Sequence, residues 1–149
     1  MTNFLRSIRP TARAVIRREG KLLVQIKEKP GRGRYLTLPG GRQDPGETLH
    51  DCVRRECAEE IGCKVQVGRL LHVAEVFKTR ADGPRHLLEH LFECTVPDGY
   101  RPIMGPHPDK SQTGTAWVNP VAGGDRFRPA YDKPLCDRAA PVYLGRLHG

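Results

Sequence analysis

Long apolar runs are what this sequence most lacks. No stretch approaches the ~20 apolar residues that a membrane-spanning helix requires, and residues 1–10 carry no apolar segment of the secretory-signal kind. Aromatics are scarce, 6% of 149 residues with a single Trp, so the stacking platform of single-strand nucleic-acid binders is missing. Lys and Arg form no block of five or six, which removes the usual basic tail. The five cysteines, Cys52, Cys57, Cys63, Cys94 and Cys136, are odd in number and none has C-x-x-C spacing. That excludes a disulfide framework and any recognisable zinc ligand pattern. The thiols read as small apolar side chains in a reducing, cytoplasmic setting. Acid excess is also absent: 25 Lys+Arg against 17 Asp+Glu give a formal charge of +8, which points to anionic partners without choosing among them. A chain of 149 residues makes one domain, 1–149, able to bury roughly 68–70% of its unfolded surface.

What is present reads as strands around one strong helix. Residues 12–16 and 22–26 are β-rich runs joined by Arg18-Glu19-Gly20-Lys21, a hairpin signal. A basic loop, KEKPGRGR at 27–34, precedes a short run at 35–38. Residues 65–77 and 87–96 form two longer strands turning at Asp82-Gly83. On the second, Leu88, Phe92, Cys94 and Val96 take one face, and Glu89, Glu93 and Thr95 the polar other. A polar loop at 97–113 leads to a last strand at 115–118, and the Pro/Gly-rich tail from 120 shows no regular element. The helix covers 49–61: Thr48 caps it with Asp51 completing a capping box, Glu47 and Asp51 suit its positive end, and Gly62 supplies the left-handed stop. The class is α/β.

The helix carries an anomaly. At 100° per residue Leu49, Cys52, Val53 and Cys57 form an apolar stripe, and Glu56 and Glu60 fall within it, one turn apart. Two carboxylates turned toward the protein body need compensation by protonation, a cation or a metal. Glu59 adds a third acid at the stripe's edge, and oxygen donors so concentrated suit Mg²⁺ or Mn²⁺. Arg55 offers the alternative of a structural ion pair. Ahead of the helix, Leu38-Pro39-Gly40-Gly41 leaves a strand through two glycines, which lets backbone approach a ligand closely.

Gly41, Glu47, Arg55, Glu56, Cys57, Glu59, Glu60, Gly62 and Cys63 match in spacing and type the signature of the Nudix hydrolases, G-x₅-E-x₇-R-E-U-x-E-E-x-G-U. The seven fixed positions, at ~5–7% usage each, would coincide by chance in on the order of 10⁻⁹ of windows. Both U positions, normally bulky and aliphatic, are cysteine here, which implies looser packing. The match covers 41–63. The resemblance implies a Nudix fold, a mixed sheet sandwiched between helices. It also implies hydrolysis of a nucleoside diphosphate linked to another moiety, with Mg²⁺ or Mn²⁺ as cofactor. Carried over by position, Glu56, Glu59, Glu60 and the Gly40 carbonyl are the metal ligands, and Gly41, Glu47 and Gly62 shape the box. Arg55 pairs with Glu47. The proton-accepting base is Glu56 first and Asp109 second, since residues 105–115 hold no glutamate.

The substrate is less defined. Arg32 and Arg34, with Lys29, suit a polyphosphate; Tyr35 or Phe77 suits stacking on a base, although core packing is the expectation for Phe77. A small nucleotide or nucleotide derivative is the expected partner, of the kind mutator-type pyrophosphohydrolases take, with no membrane. A nucleic-acid 5′ end is disfavoured by the missing basic-aromatic pattern. A weakly active or inactive nucleotide- or RNA-binding domain and an ADP-ribose pyrophosphatase are the alternatives. Many relatives form homodimers, and nothing in the sequence argues for or against one.

Overall fold

Apolar side chains recur along both arms of the first hairpin, β1 (Arg9–Arg18) and β2 (Lys21–Lys29). Its two turn residues, Glu19 and Gly20, both have positive φ, 52° and 76°, the backbone a two-residue hairpin turn of matching twist needs. The computed structural model describes residues 7–121 and 127–149. β3 (Gly33–Thr37) returns antiparallel to β2, and β4 (Gly40–Arg42) pairs with β1. Then come α1 (Leu49–Ile61), the long hairpin of β5 (Gln66–Arg80) and β6 (Gly83–Thr95), and β7 (Gln112–Val118), which adds to β2. A short α2 (Asp132–Leu135) and β8 (Tyr143–His148) complete the described chain.

The strand order is β3-β2-β1-β6-β5-β8, with β4 and β7 off this path. β1 runs parallel to β6 and β5 parallel to β8, whereas the other pairs are antiparallel. The sheet is therefore mixed, as expected of this α/β class. Its two cores lie under different helices. Cys52, Val53, Cys57 and Ile61 of α1 pack on Ala12, Ala14, Ile16 and Phe92. Tyr131 and Leu135, at α2, pack on Val15, Leu22, Leu36 and Leu91. All five cysteines are free and only Cys136 is exposed. No described helix is long and apolar enough to cross a membrane.

One expectation needs correction. The tail is not irregular: α2 seals one core, and β8 extends the sheet at β5. Glu89, which alternation places opposite Leu88 and Phe92 without fixing its depth, lies inside. It is fully buried, and accepts hydrogen bonds from the Thr11 and Tyr131 hydroxyls and, at 3.2 Å, from Arg13 Nε. Around Glu89 and Leu91 both faces of β6 are covered, while Glu93 and Thr95 further along are exposed, so alternation does not by itself separate inside from outside. Burial pushes the Glu89 carboxyl up, but Arg13, Thr11 and Tyr131 outweigh it and hold it below its ordinary range. Glu89→Ala is expected to cost about 3–5 kcal/mol, because it strands the buried Arg13 guanidinium without its partner. Urea denaturation checks this, and a loss under about 1 kcal/mol would show that the pair is not a buried charge pair.

Candidate active site

The site grows from the start of α1. Thr48 Oγ1 accepts from the Asp51 N–H at 3.0 Å while Asp51 accepts from the Thr48 N–H, a complete capping box. One turn further, Arg55 binds Glu47 through two parallel bonds, Nε to Oε2 at 3.0 Å and Nη2 to Oε1 at 2.7 Å. Glu47 Oε1 also accepts from the Asp44 N–H at 2.8 Å, and Arg55 Nη2 donates to the Arg42 carbonyl at 3.1 Å. The loop before the helix is thus strapped to its second turn. The hydrogen bonds from Arg55 hold the Glu47 carboxyl down at about 2. The same guanidinium reaches Glu56 Oε1 at 2.9 Å and Glu59 Oε2 at 3.4 Å. Arg55 therefore binds through its neighbours, as the clamp between loop and helix. At the far end Gly62 takes the left-handed conformation, φ 64°.

Glu60 has a different environment. It is 3% exposed, and its Oε1 accepts from Gln25 Nε2 at 2.6 Å and from the Gly40 N–H at 2.9 Å. Both donors are neutral. Burial and the nearby Glu56 push its carboxyl up to about 8, so without a cation it holds its proton near neutrality. Glu56, 15% exposed at its side chain, lies against Gly41, where a Cβ would stand 2.7 Å from the Glu56 carboxyl carbon. Only glycine leaves that space. Gly40 is constrained more tightly still: at φ 142° a Cβ would meet the Ala12 carbonyl oxygen at 2.1 Å, backbone that cannot swing aside as the Glu56 side chain can.

Glu56, Glu59, Glu60 and the Gly40 carbonyl offer the hard oxygen donors that Mg²⁺ or Mn²⁺ prefers. Among the described residues, no three carboxylate, imidazole or thiol side chains converge as a ready cage. Arg55 lies against Glu56 and Glu59, Glu60 turns to Gln25 and Gly40, and the Gly40 carbonyl accepts from Arg13 Nη1 at 3.0 Å. Two features nevertheless fit a cation. Among the described residues, Glu60 lacks a positively charged hydrogen-bond partner, and the buried Oε1 of Gln25, on the amide that holds it, has no partner.

Asp109 lies near Glu60, close enough to raise its carboxyl, and forms an ion pair with Lys27. Burial works against the Asp109 charge, yet Lys27 wins and keeps that carboxyl below its ordinary value. Arg32 and Tyr35 line a cleft of about 160 Å³ together with Lys29, Lys78, Arg80 and Arg128. Arg34 is not in its wall; strand alternation turns it to the face of β3 opposite Tyr35. Phe77, expected in the core, lines the cleft instead, with Arg146 4.7 Å over its ring and the His86 ring tilted against it, 4.5 Å between centroids. Sequence reading missed Gln25, Arg13 and Gln112, whose Nε2 donates to the Glu60 carbonyl at 2.9 Å. The available signal was a lone polar residue inside an apolar run, Leu-Leu-Val-Gln-Ile and Thr-Ala-Arg-Ala-Val.

Comparison with known proteins bears on the family and the fold. The NUDIX domain family model matches residues 7–134. A low-salt glycan biosynthesis protein of Haloferax volcanii is 36% identical over 89 residues, 56% of each chain. An NAD-capped RNA hydrolase of Chromobacterium violaceum is 41% identical over 59 residues, 40% of this chain and 22% of that protein. The chain thus spans about half, or less, of the length of these curated relatives. A solved NUDIX hydrolase from Nitrosomonas europaea superposes with a TM-score of 0.70 at 19% identity, covering 98% of this chain and 82% of the other, which speaks to the fold.

The Glu60 and Glu47 shifts act oppositely on stability. With its folded value near 8 and its unfolded value near 4.5, Glu60 in the folded protein holds more proton than the unfolded chain between these limits. Its stability contribution is full below about 4.5 and is lost as pH rises toward 8. Glu47, held near 2, contributes above about 4.5 and loses that contribution as pH falls toward 2. In EDTA the melting temperature is expected to fall from about pH 5 to pH 8. Glu60→Gln should remove most of that fall, since its amide oxygen can still accept from Gln25 and Gly40. Parallel melting profiles for wild type and variant would rule out a costly Glu60 charge.

Proposed function

The chain belongs to the Nudix family, and from that premise we propose that it hydrolyses a nucleoside diphosphate linked to another moiety, with Mg²⁺ or Mn²⁺. The supporting observation is Glu60, a buried carboxylate beside Glu56 and without a cationic hydrogen-bond partner. Glu56, Glu59, Glu60 and the Gly40 carbonyl would hold the ion, which supplies charge neutralisation to the diphosphate and acidifies an attacking water.

The chain's own residues provide position and proton transfer. Glu56 accepts the water's proton, fixed against Gly41 by the tight approach there. Asp109, held by Lys27, is the second acceptor near the same acids. Water oxygen bonds to one phosphorus while the bond from that phosphorus to the bridging oxygen breaks. The bridging oxygen leaves with the other phosphate, so the products are two phosphates and the proton held by the carboxylate. Gln25 and the Gly40 N–H orient Glu60, and Arg55 keeps loop and helix in register while yielding Glu56 and Glu59 to the ion.

Glu60→Gln is expected to lower turnover by at least ~10²-fold with the fold retained. The two phosphate-bearing products are to be separated by chromatography and measured, with and without Mg²⁺, on nucleoside triphosphates, ADP-ribose, NADH and 5′-capped or triphosphorylated RNA. The capped RNA belongs in that set because the Chromobacterium relative is an NAD-capped RNA hydrolase. Near wild-type turnover in the variant, with unchanged metal dependence, would overturn the ligand assignment. Gly41→Ala should also reduce turnover, by displacing the Glu56 carboxylate, while far-ultraviolet circular dichroism stays that of the native protein; full activity would show that Glu56 need not lie there.

A further inference from the structure

The basic cleft and the acidic centre share one face of the first hairpin. Gln25, Lys27 and Lys29 alternate onto the same side of β2, and β3 sets Thr37 opposite Gln25 and Tyr35 opposite Lys27. Gln25 reaches Glu60, Lys27 reaches Asp109, and Lys29 and Tyr35 reach the cleft. At ~3.3 Å per residue the two ends of this row are roughly 13 Å apart. Charge is distributed unevenly along it. One end is acidic at Glu60, the middle is neutralised by the Lys27–Asp109 pair, and the far end holds Lys29, Arg32, Lys78, Arg80 and Arg128.

Among the described residues, no carboxylate lies within ion-pairing distance of any of these five cations. They also oppose one another. Burial, Arg13, Arg80 and Lys27 push the Lys78 ammonium down to about 8 against the pull of Glu89. Burial, Arg80, Lys27 and Arg32 lower that of Lys29. Tyr35 closes the wall, with Arg128 5.9 Å above its ring. A neutral base or sugar would leave this charge unmet, whereas an anion of phosphate size satisfies several donors at once.

We infer that this cleft binds a second phosphate, carried by the part of the substrate remote from the diphosphate. The substrate class is then a diphosphate whose nucleoside bears a further phosphate on its ribose. The separation of the two ends exceeds the spread of phosphates within one nucleoside triphosphate, so a triphosphate chain does not serve both. This assignment rests on the reading of Glu56 and Glu60 as the place of hydrolysis, but the cleft can be tested without it.

Isothermal calorimetry in EDTA at about 0.15 M salt with adenosine 3′,5′-bisphosphate and with AMP isolates the cleft, because neither ligand contains a diphosphate. The bisphosphate is expected to bind at least about tenfold tighter. Combined Arg32→Ala and Arg80→Ala, both at exposed positions, should abolish the preference with an unchanged melting temperature. Glu60→Gln should retain it while losing hydrolysis. Equal affinity of wild type for the two ligands, or a preference that survives the double substitution, would overturn the inference even if the enzyme proves active. Loss of the preference in Glu60→Gln would remove the cleft as an independent site.

Discussion

A single hydrogen bond, from the Gly40 N–H to the Glu60 carboxylate, joins the three pieces from which this site is made. Gly40 belongs to β4, which is tied to β1; Glu60 belongs to α1; and Gln25 of β2 completes the junction on the same oxygen. The bond requires the backbone to pass where any side chain would collide with Ala12. It also requires a carboxylate to be buried among neutral donors. A buried charge of this kind is costly unless protonated or paired, and that cost makes the position responsive to ions and to pH rather than simply stabilising.

Two arginines flank the junction in contrasting ways. Arg55 is partly exposed and distributes its guanidinium over Glu47, Asp44, Glu56 and Glu59. With solvent close by, such contacts can exchange at modest cost. Arg13 is buried, locked to Glu89, and donates to the carbonyls of Leu38 and Gly40. Its network ties the loop's backbone to the centre of the sheet, where exchange would leave a charge without a partner. The site therefore has one adaptable wall and one fixed wall. The acids that would meet a cation lie beside the adaptable one.

The helix was legible in the sequence because its signals are local. Thr48, Asp51 and Gly62 act on their immediate neighbours, and the phase of Glu56 and Glu60 follows from helix geometry alone. The hairpins at Glu19-Gly20 and around Asp82 were legible for the same reason. What escaped depends on distant partners. The burial of Glu89 depends on Arg13, Thr11 and Tyr131, 76, 78 and 42 positions away, which no local pattern brings to it. β8 has too little periodic pattern to declare itself and is fixed by its pairing with β5. Strand alternation separates Tyr35 from Arg34, and Arg32 reaches the cleft from the turn before β3, a placement that the Gly-rich sequence there does not reveal.

The position of β8 bears on how copies of this chain meet. β5 is the longest strand, 15 residues, and a bare edge of that length would offer its amides and carbonyls to any passing strand. β8 covers it from Val73 to Phe77, and presents Arg146 and His148 near its own end. Along that stretch, self-association by β-augmentation would first have to peel this short strand away, whereas residues 66–71 and 78–80 of β5 form an edge that β8 does not pair.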